Sequence, residues 1–198
     1  MGGTFDPIHV GHLAAATAAM ECASLDRVVF IPSAQPPHRA PASAPAEHRL
    51  AMVRLAVQDE PRFEVSDVEA QRGGRSYTVD TLSALNRDRP DDELFLILGW
   101  DAARLFNTWR EPGRVSRLAT VVIVTRPGLD APKPSELAAT GLPPARVIKC
   151  SLPTPDVSGS DLRHALAAGE SVEGRLPPAV ERYIASHQLY GDNPSVGT

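Results

Sequence analysis

Lysine is almost missing from this chain: of 20 basic residues only Lys133 and Lys149 are lysine, and the rest are arginine. Guanidinium groups bind phosphates and carboxylates in a forked geometry. An excess of positive charge is missing as well. The net charge is −4 and the isoelectric point is about 5.9. That excludes a general nucleic-acid binder with a basic face, but not a small anionic ligand, which local arginines decide. Cysteine is scarce. Cys22 and Cys150 are too few and too far apart to suggest a disulfide framework or a thiolate metal site. No apolar run approaches the roughly 18 residues of a membrane span, and no charged segment leads into an apolar one as in a signal peptide. The expectation is a soluble, cytoplasmic protein with no membrane partner and no protein-held metal.

What the chain does contain is enough apolar material for one domain. Its 198 residues are 42% hydrophobic, which suits a single well-packed domain over 1–190, with 191–198 as a disordered tail. Apolar runs suited to buried strands recur at Arg27–Pro32, Phe63–Val68, Glu93–Leu98, Thr120–Thr125 and Arg146–Lys149. Between them lie helical patterns at Gly11–Leu25, Ala46–Gln58 and around Val79, Leu82 and Leu85. Strands alternating with helices predict an α/β fold, a doubly wound, mostly parallel sheet with helices on both faces. Ser158 and Ser160 would cap one later helix, and Pro177-Pro178 opens the last, with Val180, Tyr183 and Ile184 facing inward.

The opening residues Met1-Gly2-Gly3-Thr4-Phe5-Asp6-Pro7-Ile8-His9-Val10-Gly11-His12 carry the chemistry. Gly2 and Gly3 allow close approach to an anion and tolerate positive φ. A helix beginning near Gly11 would turn its free amides and positive end toward the same ligand. His9 and His12, one turn apart, would stand beside it as donors, with Thr4 offering a hydroxyl. One feature is wrong for the fold: a phosphate-binding turn should follow a strand, and nothing precedes Met1. Either the first strand is missing or truncated, or the true start lies upstream and Met1 is an internal residue. The second account is the expectation here.

Taken together, GGTFDPIHVGH resembles the signature of the nucleotidyltransferase superfamily with the HxGH motif, and with it a Rossmann-like fold is implied. Ser158-Gly-Ser160-Asp-Leu-Arg163 is similar to that superfamily's ISSTxxR motif, with Gly159 in place of a serine. Further segments occur in order: IPSAQPPHR with His38 and Arg39, SYTVDTL with Thr78, GWD with Gly99 and Asp101, Thr108-Trp109, and TRPG with Arg126. With these, most of Met1–Tyr190 resembles the bacterial nicotinate-nucleotide adenylyltransferases.

The resemblance implies transfer of AMP from ATP to nicotinate mononucleotide, with pyrophosphate released. It casts His9, His12 and Arg163 as catalytic. Gly2, Gly3, Thr4, Phe5, Gly11, Gly99, Asp101, Ser158 and Ser160 would bind ATP. Thr78, Trp109, Arg110, Arg126, His38 and Arg39 would bind the mononucleotide, Trp109 lying against the nicotinate ring. Mg²⁺ would be held mainly by the ATP phosphates, and a homo-oligomer is compatible with the sequence. His48, Arg49, His164 and His187 are expected to be solvated or structural, and Trp100 either touches the adenosine side or fills a gap. The rival readings are an acceptor other than the acid, namely nicotinamide mononucleotide or pantetheine phosphate, and a non-catalytic nucleotide-binding module.

Overall fold

The computed structural model of the chain describes residues 1–35, 41–125, 132–152 and 154–191. Strand and helix alternate as β1 (Gly2–Gly3), α1 (Val10–Ala23), β2 (Val28–Pro32), α2 (Ala46–Val57), β3 (Phe63–Val65), α3 (Val68–Arg72) and α4 (Thr78–Asp88). The second half continues with β4 (Phe95–Gly99), α5 (Trp100–Ala103), α6 (Pro112–Leu118), β5 (Thr120–Val124), α7 (Pro134–Ala139), β6 (Val147–Cys150), α8 (Gly159–Ala167) and α9 (Pro178–Ser186). The strands form two parallel three-stranded sheets, β1-β2-β3 and β4-β5-β6. In the first, Gly2 lies opposite Ile31 and Val28 opposite Phe63. In the second, Phe95 lies opposite Thr120 and Val121 opposite Val147.

Residue alternation explains the layers. Every residue of β5, Thr-Val-Val-Ile-Val, is buried, as expected for a β-branched run covered on both faces. Val121 and Ile123, with Leu96 and Leu98 of β4, join one core with Val79 and Leu82 of α4 and Val115 of α6. Val122 and Val124, with Ile97, join the other, with Ala16, Ala19 and Met20 of α1, Met52 and Val53 of α2 and Phe30 of β2. That second core spans both sheets. The expected α/β architecture is therefore present, with helices on both faces.

Three expectations change. Phe63–Val68 is strand only to Val65, and Val68 already begins α3. Cys22 and Cys150 form a disulfide, with their Cα atoms 5.8 Å apart. Their separation in sequence was misleading because α1 packs along β6 and carries Cys22 to the end of that strand. Finally, a first strand is present but short: Gly2 and Gly3 pair with β2, and among the described residues no strand pairs on their other side.

The amine of Met1 lies inside the protein and donates to the Val29 carbonyl at 2.8 Å. Burial pulls it from its ordinary value of 8.0 to about 5, against the opposing pull of Glu69. Between those values the unfolded chain holds a proton that the folded chain does not, so stability falls as pH drops from 8 toward 5. The loss is at most about 4 kcal/mol. Urea midpoints across this range should fall more steeply for the free amine than for an N-acetylated chain, and equal slopes would reject the assignment.

Candidate functional site

The loop from Gly3 to His9 is fixed by groups distant in sequence. Gly2 and Gly3 belong to β1, so the positive φ of this loop falls on Phe5, at 49°. A residue with a Cβ holds that conformation only when packing imposes it. Phe5 is indeed buried, and its ring meets His12 edge-on with centroids 5.0 Å apart.

His9 precedes α1 in an extended conformation, with φ −145°. The rings of His9 and His12 stack at 3.7 Å. His12 Nδ1 accepts the backbone N–H of His9 at 3.3 Å. A neutral ring that accepts at Nδ1 carries its proton on Nε2, so that edge of His12 is a donor. Gly11 is required by close approach: a Cβ there would sit 3.1 Å from His9 Nδ1 and 3.3 Å from the Pro155 carbonyl. The expected row of free helix amides is shorter than anticipated. Val10 donates to the Arg175 carbonyl and His12 to that of His9, which, among the described residues, leaves Gly11 as the donor of that turn.

Asp6 joins the distant pieces. Its carboxylate accepts the N–H of Ser43 at 2.6 Å and of Ala44 at 3.0 Å, and the hydroxyl of Tyr190 at 2.7 Å. Its backbone carbonyl accepts Arg163 Nη1 at 2.7 Å. Desolvation and its hydrogen bond to the Asp6 carboxylate push the Tyr190 phenol up, which keeps it a donor. Arg163 therefore touches the loop from Gly3 to His9 directly.

Ser158 and Ser160 flank the start of α8, but Ser158 makes no side-chain cap. Their hydroxyls bond each other at 2.7 Å instead. A Cβ at Gly159 would sit 3.4 Å from the Asp6 carbonyl oxygen.

Arg49 is 1% exposed. It donates to the carbonyls of Ala44 (3.1 Å), Thr4 (2.7 Å), Ser33 (2.8 Å) and Ala34 (3.4 Å). It is structural, as expected, and not solvated. Burial pulls its pKa down, with Asp6 and Tyr190 opposing. Sequence reading assigned no role to Asp6 or Tyr190 and none to Arg49 in this loop. Arg49 did leave a signal, because it occupies the same helical stripe as buried Met52, Val53 and Val57. Nothing in the sequence points to Tyr190.

A cavity of about 830 Å³ opens beside the loop, lined by Gly2, Gly3, Thr4, Thr78, Trp109 and Arg110, with Asp101 also on its wall. His9, His12, Arg163 and the two serines lie outside that wall. Trp109 leans on Phe106, with centroids 5.4 Å apart. Arg110 lies over the Tyr77 ring at 4.8 Å and pairs with Asp80 at 3.2 Å. Thr78 is the first residue of α4; the Asp80 N–H donates to the Tyr77 carbonyl, so the leading amides open to a ligand are those of Thr78 and Val79. Gly99 ends β4, and Asp101 pairs with Arg104 at 3.2 Å. Trp100 is half-buried and packs against the α4–α6 core. His38, Arg39 and Arg126 lie outside the described residues. Among the described residues no cluster of three or more His, Cys, Asp or Glu could hold a metal, and no helix is long and apolar enough to cross a membrane.

The cytidylyltransferase-like family profile matches residues 1–165. A Thermus thermophilus protein named "Probable nicotinate-nucleotide adenylyltransferase" is 48% identical over 189 residues, covering 96% of each chain. A protein of the same name from Symbiobacterium thermophilum is 44% identical over 193 residues, covering 96% of this chain and 93% of its own. Among solved structures, Plasmodium falciparum nicotinic acid mononucleotide adenylyltransferase complexed with NaAD superposes with a TM-score of 0.77 at 18% identity, over 96% of this chain and 94% of that one.

Proposed function

This chain belongs to the cytidylyltransferase-like family, and from that premise we propose that it transfers AMP from ATP to nicotinate mononucleotide, giving nicotinate adenine dinucleotide and pyrophosphate. The near-full-length likeness to relatives bearing that name supports the reading. The observation that carries it in this molecule is the meeting of His9, His12 and Arg163 around one loop whose glycines also wall the Trp109 cavity.

In this reaction an oxygen of the mononucleotide's 5′-phosphate attacks the α-phosphorus of ATP. The new P–O bond forms as the bond to the β-phosphate bridge breaks, and pyrophosphate leaves with the electron pair. A phosphate is already nucleophilic at neutral pH, so no base is needed. The protein's task is to align two polyanions and to neutralise charge on the leaving group. His12 Nε2, His9, the Gly11 amide and Arg163 are donors suited to it. Mg²⁺ would enter with ATP, bound by phosphate oxygens and water, and supply further charge neutralisation. A cytoplasmic location goes with this reading, since substrates this highly charged do not cross membranes unaided.

The leading amides of α4 at Thr78 suit the nicotinate carboxylate. An amide group would bring its own NH₂ against donors and leave them unpaired. Pyrophosphate release assayed with nicotinate mononucleotide, nicotinamide mononucleotide and pantetheine phosphate tests the proposal. Turnover should be highest with the acid. Preference for another acceptor, or release with none, would overturn it.

Trp109→Ala should raise KM for the mononucleotide about tenfold and leave KM for ATP and kcat nearly unchanged, because stacking acts on ground and transition states alike. A defect confined to ATP would remove Trp109 from the acceptor site.

A further inference from the structure

Tyr190 plays no part in the chemistry given above, yet the backbone bends twice to deliver it. Gln188 and Tyr190 both take the left-handed conformation, with φ of 51° and 64°. Residues with a Cβ hold that conformation where surrounding contacts impose it. Here α9 packs against α2, and the Leu189 N–H donates to the Ile184 carbonyl. Leu189 and Tyr190 then lie against the core that contains Phe5 and Ile8. The phenol ends on Asp6 Oδ1 at 2.7 Å, across a sequence separation of 184.

Asp6 is buried, and its two ends do different work. The carboxylate accepts the Ser43 and Ala44 amides, which are neighbours in the chain just before α2. Those two alone would let it pivot about one short stretch of backbone. The phenol adds a support from a separate element. At the other end, the Asp6 carbonyl accepts Arg163 Nη1, and the backbone of Gly159 lies close over the same oxygen. The start of α8, with Ser158, Ser160 and Arg163, therefore rests on the Asp6 peptide, while His9 follows in the same loop through fully buried Ile8. Among the described residues Arg163 donates through Nη1 alone, so the rest of its fork is left for an anion. A guanidinium held at one nitrogen is aimed by that anchor. Misplacing such a group by about 1 Å can cost on the order of a hundredfold in rate.

We propose that Tyr190 is a positioning residue of adenylyl transfer. It fixes the Asp6 carboxylate, through it the Asp6 peptide, and so the direction in which Arg163 meets the nucleotide phosphates. Asp6, Tyr190 and Arg163 all lie outside the wall of the Trp109 cavity, so the effect falls on the ATP side and spares the mononucleotide. The inference rests on the reaction proposed above and deepens its ATP half.

Tyr190→Phe keeps the ring and removes only the hydroxyl. In that variant kcat/KM for ATP should fall about tenfold, the scale of one hydrogen bond to a charged group. KM for the mononucleotide should stay within about twofold. The Kd of ATP, read by equilibrium titration without turnover, should rise at least about threefold. Tyr183→Phe is the control, because it removes a hydrogen bond to His48 from the same helix and should leave all three values unchanged. A loss caused only by a loosened α9 would appear in both variants. Added to Arg163→Ala, Tyr190→Phe should change neither ATP value by more than about twofold, since the two residues act as one unit. Equal behaviour of Tyr190→Phe and Tyr183→Phe would overturn the proposal. So would a loss confined to KM for the mononucleotide, or losses that multiply in the double variant. Failure of the adenylyl-transfer reading shows elsewhere, as absent pyrophosphate release from the unaltered chain, and the ATP titration then still decides the role of Tyr190.

Discussion

His12→Ala is expected to lower kcat at least about a hundredfold with little change in Tm. Removing one preorganised donor to a charge that grows in the transition state costs on the order of 3–4 kcal/mol, or about 10²–10³ in rate. The ring is half-buried and near the start of α1, where alanine is a good helix former. What the fold loses is the edge contact with Phe5 and the acceptor for the His9 amide. Two further variants separate donor from scaffold. His12→Asn can keep an acceptor near the Nδ1 position but has nothing at Nε2, so its rate should match that of the alanine variant. His12→Gln carries an N–H farther out and should recover part of the rate. Near-normal turnover in His12→Ala, measured by pyrophosphate release at saturating substrates, would reject the role given to this residue.

Arg49→Met should cost about 3–5 kcal/mol of stability, because removing one side of a buried charged network strands its partners. For a chain of this size that corresponds to a fall in Tm of about 10 °C. Methionine fills much of the same volume, so the loss reports hydrogen bonds more than packing. Four carbonyls lose their donor at once, and three of them, those of Thr4, Ser33 and Ala34, flank β1 and the end of β2. Arg49→Lys should recover little, since one ammonium cannot span acceptors arranged around a planar fork. Chemical denaturation of the three proteins checks this. A loss below about 1 kcal/mol in Arg49→Met would mean that water replaces the guanidinium.

The glycines of the loop show how local signals were right in kind and wrong in detail. Gly2 and Gly3 mark a backbone near the cavity, as read, yet they are strand residues, and the left-handed conformation belongs to Phe5. Sequence offers no cue for that, because Phe5 holds its φ through contacts with β2 and α1. Ser158 carries the residue type of a helix cap, and its hydroxyl prefers Ser160. The strands β2, β4, β5 and β6 were legible because a buried parallel strand is an unbroken apolar run. β3 was overextended because Ser66 and Asp67 end it with turn chemistry inside an otherwise mixed segment.

By itself the sequence determined the class of fold and the family, and it singled out the candidate residues of the site. Those depend on periodicity and on local motifs in which neighbours along the chain act together. Only the tertiary structure decided that Asp6 gathers Ser43, Tyr190 and Arg163, that Arg49 holds the loop from beneath, that Cys22 meets Cys150, and that residues of β2 and β4 wall one cavity. These contacts join residues far apart in the chain. Packing creates them, and no spacing along the sequence encodes which distant groups packing will bring together.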